Sequence, residues 1–410
     1  MNNKLDIDYV RSRFPALADG WAYFDNAGGT QVLDSVIERV AEYMTTSPVQ
    51  IGATYAVSEL ATRRQDEAAA TMAAFINARE PSEVVFGPSS SVMIGRLARA
   101  LLPQLKVGDE IIVTDLDHEA NITPWRRLAA AGIEIREWRV RPETYQLHVE
   151  DLVSLLSART RLVCCPQASN VIGSLTPVAD IVHVAHEHGA DVCVDGVAAA
   201  AHGAIDVTAS DVDYYVFSTY KVFGPHLSVL YGKRDKLFAL ANLNHEFFDR
   251  DAVPLKLQPG GATHELVWGT TGVAAYFRDL GEDLGAAPDT PLRAHVEAVG
   301  AAFSTHERAL AGRLLDYLRD KSGVTIVGDR QAGNDRLPTI SFTVTGRDSG
   351  TIPPQLDPHR VAVRYGHFYA KRLIDHLGLA PQNGVVRVSM AHYNTPDEVN
   401  RLIECLERVL

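Results

Sequence analysis

Asp191-Val192-Cys193-Val194-Asp195 and Asp213-Tyr214-Tyr215-Val216-Phe217-Ser218-Thr219-Tyr220-Lys221 decide how this chain reads. Each is a short apolar run, β-branched or aromatic in character, that stops abruptly on polar groups. Runs without polar alternation are strands covered on both faces, as in a parallel sheet sandwiched between helices. Moving outward, Glu83-Val84-Val85-Phe86, Glu110-Ile111-Ile112-Val113 and Arg161-Leu162-Val163-Cys164-Cys165 share that character. Helical stretches separate them, so residues 83 to 232 predict strands joined by helical crossovers. After about residue 290 a long Ala/Arg/Leu helix precedes Val324-Thr325-Ile326-Val327, Pro338-Thr339-Ile340-Ser341-Phe342 and Val385-Val386-Arg387-Val388, an α+β module. In Thr395-Pro396-Asp397-Glu398, Thr is the N-cap, Pro stands at N1 and Glu at N3, a capping box opening a helix that runs to Leu410.

The chain has 410 residues, more than one core usually organises, so a large and a smaller domain are expected. With 46% hydrophobic and 22% charged residues it is globular, not disordered. A net charge of −12 repels nucleic acid and anionic lipid, and neither is expected as a partner. No apolar run approaches the ~18 residues that span a bilayer, and Met1-Asn2-Asn3-Lys4-Leu5-Asp6 lacks a signal-peptide core, so a cytoplasmic location is expected. Cys164, Cys165, Cys193 and Cys405 show neither a disulfide framework nor zinc spacing, and read as buried thiols.

In open α/β sheets, ligands gather beyond the carboxyl ends of strands. Here those ends carry Ser89-Ser90-Ser91, Asp117-His118-Glu119-Ala120-Asn121, Ser169-Asn170, Asp195 and Ser218-Thr219-Tyr220-Lys221. Lys221 follows a buried strand directly, so a dry setting that lowers its pKa is expected, which suits a Schiff-base amine. Asp195, a buried carboxylate, needs a cationic partner such as a protonated pyridine nitrogen. The serines open a helix, where free N–H groups bind phosphate. Phosphate, pyridinium and aldehyde together specify pyridoxal 5′-phosphate (PLP).

These residues, with Tyr23-Phe24-Asp25-Asn26-Ala27-Gly28, His118 to Trp125, Ser169-Asn170-Val171-Ile172-Gly173, Phe217 to Pro225 and Arg387 to Thr395, form a series that resembles the class V aminotransferase family of fold-type I PLP enzymes. The nearer likeness is to the cysteine desulfurase-like branch, with its isopenicillin N epimerase-like and C–S lyase relatives. The resemblance implies an N-terminal segment over 1–20 packing on the small domain, a large PLP-binding α/β domain with a mostly parallel sheet over 21–285, and a small α+β domain over 286–410. It implies that Lys221 forms the internal aldimine and moves the substrate Cα proton, that Asp195 holds the ring nitrogen protonated, and that His118 stacks on the ring. Asn170 would bond the phenolic oxygen. Ser90, Ser91 and Ser218 would hold the phosphate, with Thr270 or Thr271 reaching the neighbouring subunit's phosphate in a homodimer. Arg387 would grip the α-carboxylate of an amino-acid substrate, assisted by Arg364. Asn26, Ala27, Gly28, His367 and Tyr369 complete the implied substrate pocket, formed by loops around 26–30, 50–58 and 364–372.

Three departures qualify the likeness. Tyr369 stands where the desulfurases carry their cysteine nucleophile, Tyr220 where they place His before the lysine, and Ala198 where they place Gln. A phenol cannot replace a thiolate as sulfur acceptor, so persulfide formation is disfavoured. What remains is Cα deprotonation, followed by β-elimination, transamination or racemisation. A C–S or other β-elimination lyase is the preferred reading, with aminotransferase or epimerase second and a PLP-fold scaffold third. Ser218-x-x-Lys221 also fits the S-x-x-K element of penicillin-recognising enzymes, but that serine must open a helix. His183 and His186 at i, i+3 lack a completing ligand set, and Asp115-Leu116-Asp117 reads as loop, so no metal is expected.

Overall fold

The computed structural model describes residues 5–410. The expectation about the first residues, Met1 to Lys4, lies outside them. Thirteen strands are present among these residues: β1 (Ala22–Tyr23), β2 (Val84–Gly87), β3 (Glu110–Thr114), β4 (Glu134–Trp138), β5 (Thr160–Pro166), β6 (Asp191–Asp195), β7 (Tyr214–Ser218), β8 (Ser228–Gly232), β9 (Val324–Val327), β10 (Thr339–Val344), β11 (Val361–Ala362), β12 (Arg364–Gly366) and β13 (Val385–Ser389).

Seven strands form the large sheet in the order β2-β8-β7-β6-β5-β3-β4. Side chains alternate across it and supply two cores. Ile112, Val163, Val192 and Val194 point to one face, and Ile111, Val113, Leu162, Cys164 and Cys193 to the other. Each face is closed by helices, which explains why the runs read as apolar throughout.

Only β8 runs against the rest, pairing antiparallel with both β7 and β2. Two reversals restore the direction, so β2 points the same way as β7 although β8 lies between them. Ser228 faces both Gly87 and Ser218 in register. The serines that follow β2 therefore arrive beside the end of β7, at the same sheet edge as the other polar clusters.

A second sheet, β12-β13-β10-β9, is antiparallel. The helices Leu292–Arg319 and Pro396–Val409 bury Leu310, Leu314, Leu318, Leu402 and Leu406 against it. The last helix opens on the expected capping box, with Thr395 Oγ1 accepting the Glu398 amide at 3.0 Å and Glu398 Oε2 accepting the Thr395 amide at 3.1 Å. β1 joins the distant β11 in parallel, bringing residues 24–28 against the end of β13. Near the chain start, α1 (Ile7–Ser12) is tied to the C-terminal region by Arg11, whose guanidinium bonds Tyr393 O and Glu398. Among the described residues no helix is long and apolar enough to cross a membrane.

Candidate active site

The strand ends enclose a cleft of about 520 Å³. Lys221 lies in it, closing a short 3-10 turn, Thr219–Lys221, that β7 feeds directly. Thr219 fixes the turn by donating its hydroxyl to Pro225 O at 2.6 Å. Burial, with Arg387 acting in the same direction, lowers the Lys221 ammonium from 10.5 to about 8, and the Asp195 carboxylate only partly opposes this. Asp195 is 6% exposed and accepts the Val197 amide at 2.9 Å. Burial raises its carboxyl from 3.8 to about 6 despite the Val197 N–H and Lys221.

His118 is half-buried at the end of β3. Burial, aided by the Lys221 charge, lowers it to about 4, so the ring is neutral at physiological pH. Its Nδ1 accepts the Ala120 amide at 3.1 Å, which fixes the ring plane and leaves the proton on Nε2.

At the opposite wall Ser89 caps the twelve-residue helix Ser90–Leu101, accepting the Val92 amide at 3.3 Å. Ser90 Oγ shares hydrogen bonds with Ser218 Oγ and, at 3.0 Å, with Ser228 Oγ. This hydroxyl cluster at a helix N-terminus is an anion seat. Ser89, Ser90, Ser91 and Ser218 all line the cleft.

Arg387, 2% exposed in β13, donates to Asn170 O at 2.9 Å and to Asp25 Oδ1 at 2.8 Å. Arg364 approaches the second Asp25 oxygen at 3.3 Å, so one carboxylate bridges both arginines. Burial lowers the Arg387 guanidinium to about 10, partly offset by Asp25, and it stays charged. Asn170 donates its side-chain amide to Phe368 O at 2.9 Å, and its Oδ1 is buried without a partner. Tyr369 leans on the cleft residue His118, ring centroids 5.3 Å apart. The His367 ring accepts the Tyr369 amide through Nδ1 at 3.1 Å.

The other expected residues make the following contacts within this chain. Asn26 is buried and its side chain bonds Ser389 O, Tyr23 O, Asn394 and Tyr393, tying β1 to β13, while the Ala27 amide donates to Ser389 Oγ. A Cβ on Gly28 would stand 3.0 Å from the Asp25 carboxylate, so the small residue leaves that carboxylate room. Thr270 and Thr271 lie inside the helix His264–Asp283, each hydroxyl donating to a carbonyl one turn back. His186 pairs with Asp213 and His183 with Glu187. Sequence reasoning missed Asp25 as an arginine bridge and Ser228 as the third hydroxyl. Asp25 lies within the Tyr23–Gly28 motif, which was the available signal.

A buried carboxylate lacking a full counter-charge, an amine of lowered pKa beside it, an unsatisfied amide and an anion seat fit one phosphorylated pyridine aldehyde. The fold and this donor set define a PLP-dependent enzyme. The chain belongs to the class-V aminotransferase family, whose profile matches residues 22–283 and 284–402, and its cofactor is PLP. It is 38% identical to the aminotransferase-like protein FGM3 of Gibberella zeae over the full length of both chains. It is 33% identical to the cysteine desulfurase-like protein ustD of Aspergillus flavus, across 100% of this chain and 92% of that one. The crystal structure of the cysteine desulfurase CsdA from Escherichia coli superposes with a TM-score of 0.84 at 26% identity, covering 98% of each chain.

Proposed function

We propose that this enzyme eliminates a β-substituent, a thiol in the first instance, from an α-amino acid, giving pyruvate, ammonia and the free thiol with uptake of one water. One observation carries the reading. The loop beside the cleft presents the Tyr369 phenol and the His367 imidazole, whereas Cys164, Cys165, Cys193 and Cys405 are all buried in strands or in the last helix. No thiol is at hand to take up sulfur, and the phenol beside His118 is a group able to give a proton to a leaving group.

PLP, when bound, supplies an electron sink for the bond broken at Cα. Ser90, Ser91 and Ser218, with the helix N-terminus they open, would hold its phosphate, Asp195 would keep a proton on its ring nitrogen, and His118 would pack against the ring. Arg387 fixes the α-carboxylate, in concert with the Asp25 bridge to Arg364, and so orients the Cα–H bond. The Lys221 amine, with its pKa near 8, takes the Cα proton. Tyr369 protonates the departing sulfur, preventing its return. A homodimer accompanies this reading, as the family resemblance implies.

Incubating the holoenzyme with a panel of amino acids in heavy water tests the proposal. S-substituted cysteines should exchange Cα hydrogen and yield pyruvate and ammonia in equal amounts, with no persulfide mass on the protein. A keto acid without ammonia means transamination, and inverted configuration means epimerisation. No exchange with any amino acid reduces the chain to a binder.

A further inference from the structure

Tyr369 is 66% exposed, and both it and Phe368 adopt left-handed backbone angles, φ 60° and 49°. Neither is glycine. Two such residues in succession persist only where their surroundings over-determine them. The ring therefore needs an external hold to stay beside His118.

That hold comes from the segment bearing His118. The Glu119 amide donates to Tyr369 O at 2.8 Å. Its carboxylate receives Arg372 through Nε and Nη2, both at 3.2 Å, and also the Thr123 hydroxyl at 2.6 Å. Arg372 is the second residue of the short helix Lys371–His376 that follows the loop, and its Nη1 lies 3.8 Å from Glu137, which Arg126 holds at 2.7 Å. At the far end of that helix His376 pairs with Asp115. Asn170 secures Phe368 from the other side, by the 2.9 Å bond to its carbonyl. Burial opposes ionisation of Glu119, but Thr123 and Arg372 outweigh it and hold the carboxyl below its usual range.

We infer that Glu119 is a positioning residue that, through its paired contact with Arg372, keeps the Tyr369 phenol fixed beside His118 at the cleft. The inference rests on the proposed role of Tyr369 as leaving-group acid. Glu119 occupies the position after His118 and touches no reacting atom, so its effect passes through the loop. The backbone bond to Tyr369 O survives any side-chain change, and only the ion-paired half of the clamp is removed by substitution.

The test uses Glu119→Gln, Arg372→Gln and the double variant carrying both changes, each as apoprotein and holoenzyme. Expected for Glu119→Gln are a kcat about tenfold lower, a KM within about twofold of the parent, and unchanged cofactor absorbance. Amide hydrogen exchange over residues 366–370 should quicken about tenfold with and without PLP. The double variant should be no worse than either single one, because both changes act through the same ion pair. Unchanged loop exchange, or a double variant whose effects are the sum of the single ones, overturns the inference and leaves the lyase reading standing. Faster exchange with an unchanged kcat removes Tyr369 from the chemistry and overturns the inference, while formation of pyruvate and ammonia still decides the lyase reading.

Discussion

Phe368 lies over Arg387, with 3.8 Å between the guanidinium carbon and the ring centroid. A desolvated contact of this kind contributes about 2 kcal/mol. It also keeps water off the group that grips the substrate carboxylate. Phe368→Leu preserves apolar bulk but removes the ring's negative face. KM for the amino acid should rise about tenfold while kcat changes little, and stability should fall by about 1–2 kcal/mol. Steady-state kinetics and urea unfolding check this. A lower KM would mean that the ring obstructs the carboxylate seat.

Lys221 reacts with an aldehyde only as the neutral amine. With its pKa lowered to about 8, the neutral form appears well below the pH at which other lysines deprotonate. Brief exposure of apoprotein to PLP, trapped with borohydride, should label one lysine with a midpoint near pH 8, and Lys221→Ala should abolish that label. A midpoint above pH 10 would mean that the amine is not desolvated.

Asp195 carries a stability effect that changes with pH. Its folded pKa of about 6 lies above the ordinary 3.8, so its contribution is greatest below pH 3.8 and is lost as pH rises through 6. Asn has the same shape, keeps an oxygen for the Val197 amide and does not titrate. Apoprotein carrying Asp195→Asn should match the parent near pH 4 and exceed it by up to about 3 kcal/mol above pH 6. The same variant should retain PLP poorly, because the ring nitrogen loses its counter-charge. Urea unfolding from pH 4 to 8 and cofactor release on gel filtration provide the two readings. Equal stability at pH 8 would show that the carboxylate is adequately solvated in the apoprotein.

The five polar clusters that meet in the cleft were legible because each follows an apolar run that stops abruptly, and the fold places strand ends together. Less of the sheet was legible than of the site. β4, Glu134-Ile135-Arg136-Glu137-Trp138, is an edge strand carrying three charged residues and gives no apolar run. β8 is apolar and short, but nothing local encodes its reversed direction, on which the meeting of Ser90, Ser218 and Ser228 depends. The Asp25–Arg387 pair joins residues 362 apart in sequence, a relation no local pattern carries. Phe368 and Tyr369 take left-handed angles without the glycine that would announce them.

Cysteine chemistry offers the sharpest separation from the desulfurases. Cys164, Cys165 and Cys193 are 0% exposed and Cys405 is 4% exposed. Adjacent Cys164 and Cys165 point to opposite faces of the sheet, each into a buried apolar core. Burial raises the thiols of Cys164, Cys165 and Cys405, which suppresses the reactive thiolate as well as access to it. Iodoacetamide at pH 8 should leave the folded holoenzyme unlabelled and fully active, whereas the urea-unfolded chain takes up four equivalents. Tyr369→Cys should add one site that reacts in the folded state, because position 369 is 66% exposed. Loss of wild-type activity on alkylation, with mass spectrometry placing the label on any of the four native thiols, would show that a buried cysteine becomes exposed in turnover and would reopen the persulfide route.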